Sequence, residues 1–336
     1  MTTTMNKPAV LVTGGAGYIG SHAVLALRDA GWHVAVVDDL SNGSRSVVPD
    51  DVPFYQGSIA ERVLVDSIID ERGIGAIMHF AGSIVVPESV ERPLEYYANN
   101  TLASHQLIDA AVDAGVKHIL FSSTAAVYGA PDEVPIFEDS AKEPINPYGA
   151  SKLMTERMLS DASAAHPFNY GALRYFNVAG ADPAGRSGQM GKGSTHLIKV
   201  ACETAVGKRD HVAVYGTDYP TPDGTCIRDY IHVSDLAAAH VAALEWLIAH
   251  PDDNLVVNCG YGKGLSVLDV IDAVDRANGK PIKRVMEGRR AGDPPALVSA
   301  NARILDTLEW QPAHADIDRI VGDALTWERK LAQAVH

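Results

Sequence analysis

Thr13-Gly14-Gly15-Ala16-Gly17-Tyr18-Ile19-Gly20 is the stretch on which the reading of the fold turns. Before it runs Ala9-Val10-Leu11-Val12-Thr13, continuously apolar and rich in β-branched residues, the pattern of a buried strand. After it, Ile19, Ala23, Leu27 and Ala30 recur at helical spacing until Gly31 ends the run. Gly15, Gly17 and Gly20 satisfy G-x-G-x-x-G, while Gly14, Gly17 and Gly20 satisfy G-x-x-G-x-x-G. Missing side chains allow the tight turn, let a pyrophosphate approach backbone N–H groups, and let the helix pack closely on the strand. The helix N-terminus adds partial positive charge toward the phosphates. A glycine turn alone can be a mere connection, but here the next strand, Val34-Ala35-Val36-Val37, runs into Asp38-Asp39. A carboxylate at that point accepts ribose hydroxyls and repels a 2′-phosphate, so the turn reads as a dinucleotide site for NAD rather than NADP. Arg45, slightly downstream, is the one feature pointing toward NADP.

Outward from this turn, apolar strands alternate with helical patterns. Ala76-Ile77-Met78-His79-Phe80, Ile119-Leu120-Phe121 and Ala172-Leu173-Arg174-Tyr175-Phe176 read as strands, with helices around 60–72, 94–114 and 149–165. Alternation with fully apolar strands gives an α/β protein with a doubly wound parallel sheet, a Rossmann domain covered on both faces. Past residue 180 the texture changes at the turn-rich Asp182-Pro183-Ala184-Gly185-Arg186-Ser187-Gly188. The expected division is therefore a dinucleotide-binding domain over 8–180, joined by a returning segment near 229–262, and a smaller α/β domain over 181–336.

Composition narrows the classes further. The 336 residues are 46% hydrophobic and 21% charged, enough apolar material for full cores, and the net charge of −14 opposes binding to a nucleic-acid backbone. No apolar stretch approaches the ~18–20 residues of a membrane span, and the N-terminus lacks a signal-like run. Three cysteines, Cys202, Cys226 and Cys259, give neither a C-x-x-C pair nor an even disulfide set. His22, His79 and His232 have no metal-ligand spacing, so no metal is expected. A reduced, cytoplasmic, soluble protein follows from these features.

Tyr148-Gly149-Ala150-Ser151-Lys152 places a phenol and an ammonium four apart, after Pro147 at a helix start, and so on one helical face. Such a pair serves proton transfer at an alcohol undergoing oxidation. A free phenol, with pKa ~10, is a poor base at neutral pH, and a neighbouring cation stabilises phenolate. Ser122-Ser123-Thr124 ends the preceding strand at the carboxyl edge of the sheet, where Ser123 or Thr124 can donate to the substrate oxygen or simply cap the chain.

Glycine turn, strand-end hydroxyl and Y-x-x-x-K together resemble the extended short-chain dehydrogenase/reductase superfamily. Phe80-Ala81-Gly82, Glu88-Ser89, Pro93-Leu94-Glu95-Tyr96-Tyr97 with Asn99-Asn100, Val127-Tyr128-Gly129, Arg174-Tyr175-Phe176-Asn177 and Arg228-Asp229-Tyr230-Ile231-His232-Val233 resemble the UDP-glucose 4-epimerase family within it. That resemblance implies Tyr148 as base, Lys152 as its electrostatic partner and Thr124 as the substrate-touching hydroxyl. It implies NAD contacts from Gly14, Gly17, Tyr18, Ile19, Gly20, Asp38, Asp39, Phe80, Ala81, Gly82, Asn99 and Phe176, besides Tyr148 and Lys152. It places Asn177, His196, Arg228, Arg290 and Asp293 on the nucleotide sugar, with Ala213-Val214-Tyr215 beside the uracil. Arginine forks in an acidic protein suit a diphosphate. Ile84, Ser58 and His196 stand where the family pattern has lysine, aspartate and asparagine. Leu297 falls where the family gates room for a 2-acetamido group, which implies preference for UDP-hexoses over N-acetylated ones.

The resemblance further implies a homodimeric isomerase of galactose metabolism, which oxidises C4 of a UDP-hexose with tightly held NAD and returns the hydride to the opposite face. Other NAD-dependent UDP-sugar epimerases and the sugar-nucleotide dehydratases share the cofactor and the Tyr/Lys pair. The dehydratases, however, carry T-D-E where this chain has Thr124-Ala125-Ala126. A nucleotide sensor without catalysis is the alternative from another class, and Tyr148, Lys152 and Thr124 weigh against it.

Overall fold

The computed structural model describes residues 7–191, 194–290 and 293–334. Its first half lays down β1 (Ala9–Thr13), β2 (Val34–Asp38), β3 (Phe54–Gln56), β4 (Ile74–His79), β5 (His118–Thr124) and β6 (Asn169–Tyr175). Between them run α1 (Tyr18–Asp29), α2 (Arg62–Arg72), α3 (Val86–Glu91), α4 (Pro93–Tyr96), α5 (Ala103–Asp113) and α6 (Pro147–Ala165). The second half adds β7 (Asn177–Ala179), α7 (Leu197–Ala205), β8 (Val212–Tyr215), β9 (Ile227–His232), α8 (Val233–Ala249) and β10 (Leu255–Cys259). It ends with β11 (Gly264–Ser266), α9 (Val267–Asn278), β12 (Arg284–Glu287), β13 (Ala296–Leu297), α10 (Ala302–Thr307) and α11 (Ile317–Gln333).

Seven strands form one parallel sheet in the order β3-β2-β1-β4-β5-β6-β10. This is the doubly wound order, with its switch point between β1 and β4. Side chains alternate across the sheet, so each strand feeds two cores. Val10, Val12, Val36, Met78, Leu120 and Leu173 meet α1 and α8 on one face. Leu11, Val37, Ile77, Ile119, Phe121 and Ala172 meet α2, α5 and α6 on the other. Burial on both faces explains why the strands read as unbroken apolar runs.

The smaller lobe is built around β9, which pairs with β7, β11 and β13, and around the parallel pair β8–β12. Ile198, Cys202, Val214, Val270, Ile271, Ile320 and Leu325 form its core. The seventh strand of the large sheet, β10, comes from this later part of the chain and lies beside β6. The helix expected over 94–114 is broken: α4 and α5 are joined through a π-helical turn at Tyr97–Leu102, where extra backbone lets Asn100 point into the interior. Among the described residues no helix is long and apolar enough to cross a membrane.

Candidate active site

The carboxyl ends of β1, β2, β4 and β5 open into a cleft of about 1920 Å³, whose other wall is the smaller lobe. Gly14 begins the turn with φ +69°, and a Cβ there would sit 2.6 Å from the Ala81 nitrogen. A Cβ on Gly20 would sit 2.2 Å from the Gly14 oxygen, so α1 approaches the turn as only glycine permits. Gly17 caps α1, and Tyr18 and Ile19 begin it against the cleft. The Tyr18 hydroxyl donates to the Gly180 carbonyl at 2.7 Å, tying the first helix to the joint between the lobes.

At the end of β2, Asp38 accepts from the Ala16 and Leu40 N–H groups at 2.9 and 2.8 Å, leaving lone pairs toward the cleft. Burial pushes its pKa up, against the pull of these backbone donors. Asp39 accepts from the Ser41 N–H at 2.8 Å. Arg45 turns away, donating to the Val48 carbonyl at 2.6 Å and stacking over Phe54. A glycine cradle, a helix N-terminus and one carboxylate with spare lone pairs fit a dinucleotide bearing a free 2′-hydroxyl. Phe80, Ala81 and Gly82 continue this wall after β4, with Ile84 and Ser58 on the same surface. Asn99 also faces the cleft, and its Nδ2 donates to the Ser83 hydroxyl at 2.8 Å.

Asn146 caps α6 by accepting the Gly149 N–H at 2.8 Å, and Pro147 occupies its first turn. These two residues fix where Tyr148 sits, buried at the cleft wall with Thr124 and Phe176. Of the three strand-end hydroxyls, only Thr124 lines the cleft. Its Oγ1 also accepts the Ala126 N–H at 3.1 Å, so one residue both caps and faces the site. Ser122 donates to Tyr175 and Ser123 to Glu156. Burial raises the Tyr148 pKa, with the Thr124 hydroxyl pulling the other way. Lys152 does not face the cleft: its ammonium donates to the Ser122 carbonyl at 3.1 Å and lies over Phe121. Burial dominates at Tyr148, and it brings Lys152 itself down to about 8.

Across the cleft stand Asn177, His196, Ala213, Tyr215, Arg228, Arg290 and Asp293. Arg228 donates to the Ile227 and Pro294 carbonyls at 2.8 and 3.0 Å and pairs with Asp293 at 3.3 Å. The Arg290 guanidinium stacks over Tyr215, 4.2 Å from the ring centre. His196 precedes α7, its Nδ1 3.1 Å from Gln189. Two residues fall elsewhere than expected. Val214 points into the core of the smaller lobe, because alternate residues of β8 face opposite ways. Leu297 pairs with Arg228 on β13 and packs against the Ala125–Tyr128 turn and Phe176 rather than lining the cleft.

Sequence reasoning missed the support beneath the site. Buried Asn100 accepts the Ser83 N–H at 2.7 Å and donates to the Ser83 carbonyl and the Ser151 hydroxyl, fixing the loop after Gly82. Buried Glu156 and Arg174 form an ion pair at 2.6 Å behind the Tyr148 helix. The regular spacing Tyr148, Lys152, Glu156 was the available signal for the face that Glu156 shares, though not for its partner. Among the described residues, no cluster of three or more His, Cys, Asp or Glu side chains is arranged to hold a metal.

The model of the NAD dependent epimerase/dehydratase family matches residues 10–260. The UDP-glucose 4-epimerase of Azospirillum brasilense is 56% identical, over 99% of this chain and 95% of its own. A solved UDP-glucose 4-epimerase from Bifidobacterium longum, in complex with NAD+ and UDP, superposes with TM-score 0.90 at 40% identity, over 96% of this chain and 98% of that one. One from Stenotrophomonas maltophila, with bound NAD and formylated UDP-arabinopyranose, superposes with TM-score 0.93 at 37% identity, over 97% and 99%. With the glycine turn, the buried phenol and the arginine wall in one cleft, and relatives matched along nearly the whole length, the chain belongs to the NAD dependent epimerase/dehydratase family.

Proposed function

We propose that this chain is a UDP-glucose 4-epimerase, interconverting UDP-galactose and UDP-glucose in galactose metabolism. The observation that carries the reading is the placement of Tyr148 and Thr124 between a glycine cradle with Asp38 on one wall and Arg228 and Arg290 on the other. NAD, when bound, supplies a reversible acceptor for the C4 hydride and a positive charge in the cleft. Tyr148 removes the C4 hydroxyl proton and later returns it to the same oxygen, after the sugar has presented its opposite face. Thr124 orients that hydroxyl, while the Lys152 ammonium, one helical turn from the phenol, favours phenolate. Arg228 and Arg290 hold the diphosphate, so that the hexose can turn over without leaving. Substrate contacts from Asn177, His196, Ala213, Tyr215 and Asp293, and cofactor contacts from the residues of the other wall, belong to the same proposal. So does the division into a cofactor domain over 8–180 and a nucleotide-sugar domain over 181–336.

We further propose a cytoplasmic homodimer. Cys202, Cys226 and Cys259 are all free and buried, which suits a reducing compartment. Val90, Leu94, Leu102 and Met154 are exposed on the neighbouring α3, α4, π-turn and α6 surface, an apolar face suited to a second copy.

Purified protein is to be incubated with UDP-galactose without added cofactor, and the products resolved chromatographically. UDP-glucose must appear, and protein denatured by heat must release NAD. Tyr148→Phe should fold and retain NAD while losing about 10²–10⁴ in kcat. Wild-type turnover in that variant would reject the assignment of the base.

A further inference from the structure

His196 stands at the N-cap of α7, yet its side chain does not cap the helix, and the imidazole lies instead between Gln189 and the cleft. Gln189 has no part in the reaction as described. Its carboxamide nitrogen is 3.1 Å from His196 Nδ1 and 3.1 Å from Ser194 Oγ, one contact for each of its two hydrogens. Ser194 Oγ also accepts the His196 backbone N–H at 3.3 Å, so the three residues close on one another. A ring nitrogen that accepts a hydrogen bond carries no proton, and a neutral imidazole then keeps its single hydrogen on the other nitrogen. Nε2 meets no partner among the described residues, which leaves its N–H to a ligand in the cleft.

Buried charges hold this arrangement from behind. The Lys199 ammonium donates to the Gln189 carbonyl at 2.9 Å and to Glu328 Oε2 at 2.5 Å. Glu328, 1% exposed on α11, also accepts from Lys208 at 2.6 Å. Arg209 donates to the Ser194 carbonyl at 3.1 Å while paired with Glu203. The backbone that presents the carboxamide and the hydroxyl is thus tied to α7, α11 and the turn after α7. The opposite tautomer would turn a bare lone pair toward the acceptor oxygens of a nucleotide sugar and repel them. We infer that Gln189 is a positioning residue that fixes His196 as the Nε2–H tautomer, so that a neutral donor joins Arg228 and Arg290 on the substrate wall.

The inference rests on the proposed epimerase reading, and the measurements separate their failures. Imidazole nitrogens of nitrogen-15-labelled holoenzyme are observed by NMR at pH ~8, where an ordinary histidine is neutral, with His196 assigned through His196→Ala. Nδ1 should give a pyridine-type signal and Nε2 a pyrrole-type signal. In Gln189→Glu, whose carboxylate only accepts, Nδ1 should become protonated. Gln189→Met should raise KM for UDP-galactose about fivefold with kcat unchanged, and should change nothing further when made in His196→Ala. An Nδ1–H tautomer in the wild type, or Nδ1 still unprotonated in Q189E, would overturn the inference. An equal KM change in both backgrounds would make Gln189 a packing residue and overturn it as well. If Q189M fails to fold, the signal of Q189E decides alone. Wild-type protein inert toward UDP-galactose would overturn the epimerase reading, while the tautomer would still decide the role of Gln189.

Discussion

The Asp38 carboxylate accepts the Ala16 N–H at 2.9 Å, so the end of β2 is bonded back to the glycine turn that opens α1. The charge we propose to select the adenosine ribose is thereby fixed relative to the glycine turn proposed to cradle the phosphates. Replacing it by Asp38→Asn keeps an acceptor for Ala16 and removes the repulsion of a 2′-phosphate. Relief of a like-charge contact worth about 1–2 kcal/mol moves relative affinity about tenfold toward NADP. Titration of cofactor-stripped protein with both dinucleotides checks this, and an unchanged ratio would contradict it.

Arg228 and Arg290 should fail differently. The Arg290 guanidinium packs over Tyr215 and makes no hydrogen bond to the described residues, so Arg290→Ala should raise KM about tenfold while leaving thermal stability near wild type. Arg228 also satisfies the Ile227 and Pro294 carbonyls, so Arg228→Ala should raise KM and cost about 1–3 kcal/mol of stability. KM and denaturant unfolding measured on both variants give the comparison. Equal stability losses would refute the distinction.

Stability should depend on pH through buried histidines. Burial lowers His22 and His240 to about 4 and His79 to about 3. These folded-state values lie below the 6.5 of an unfolded histidine, so the unfolded chain takes up protons first as pH falls. Their contribution is complete above about pH 6.5 and is lost progressively toward pH 4, at about 1.4 kcal/mol per pH unit for each proton. His240 has an unpartnered Nε2 and packs 4.8 Å from Phe80 between ring centres. His240→Leu should therefore flatten this slope by one proton's worth. A slope equal to that of wild type, measured by denaturant unfolding across this range, would count against it.

Leu297 packs against the cluster that contains Tyr128 and Phe176 and lies beside Arg228, rather than on the cleft surface. Any restriction on a 2-acetamido group must then pass through those neighbours. Wild-type protein should turn over UDP-glucose at least about tenfold faster than its N-acetylated counterpart, and Leu297→Ala should narrow that ratio. Comparable turnover of both sugars by the wild type would defeat the expectation.

The large sheet was legible because its chemistry is local. Val10, Leu11 and Val12 are buried on both faces and therefore apolar without alternation, and Gly14 to Gly20 can only be a tight turn. Short β3 and β7 carried too few residues for a periodic signal. The π-helical turn at Tyr97–Leu102 left no mark, because its extra backbone is accommodated by tertiary bonds from Asn100. Position in the sequence brought Tyr148 and Thr124 to the cleft, whereas the orientations of Val214 and Lys152 depend on strand alternation and burial that residue identity does not state. Arg174 was visible within a recognisable string, but its buried partner Glu156 lies on another element, and spacing alone does not report an ion pair across elements.

The edge position of β6 until β10 arrives has a bearing on biosynthesis. A nascent chain released at residue 180 would hold six strands of this sheet with the β6 border left open, a template for pairing with other chains. Completion waits until the ribosome has passed Cys259, so the two lobes mature together rather than one after the other. Fragments ending between these points should precipitate, whereas the intact polypeptide should not.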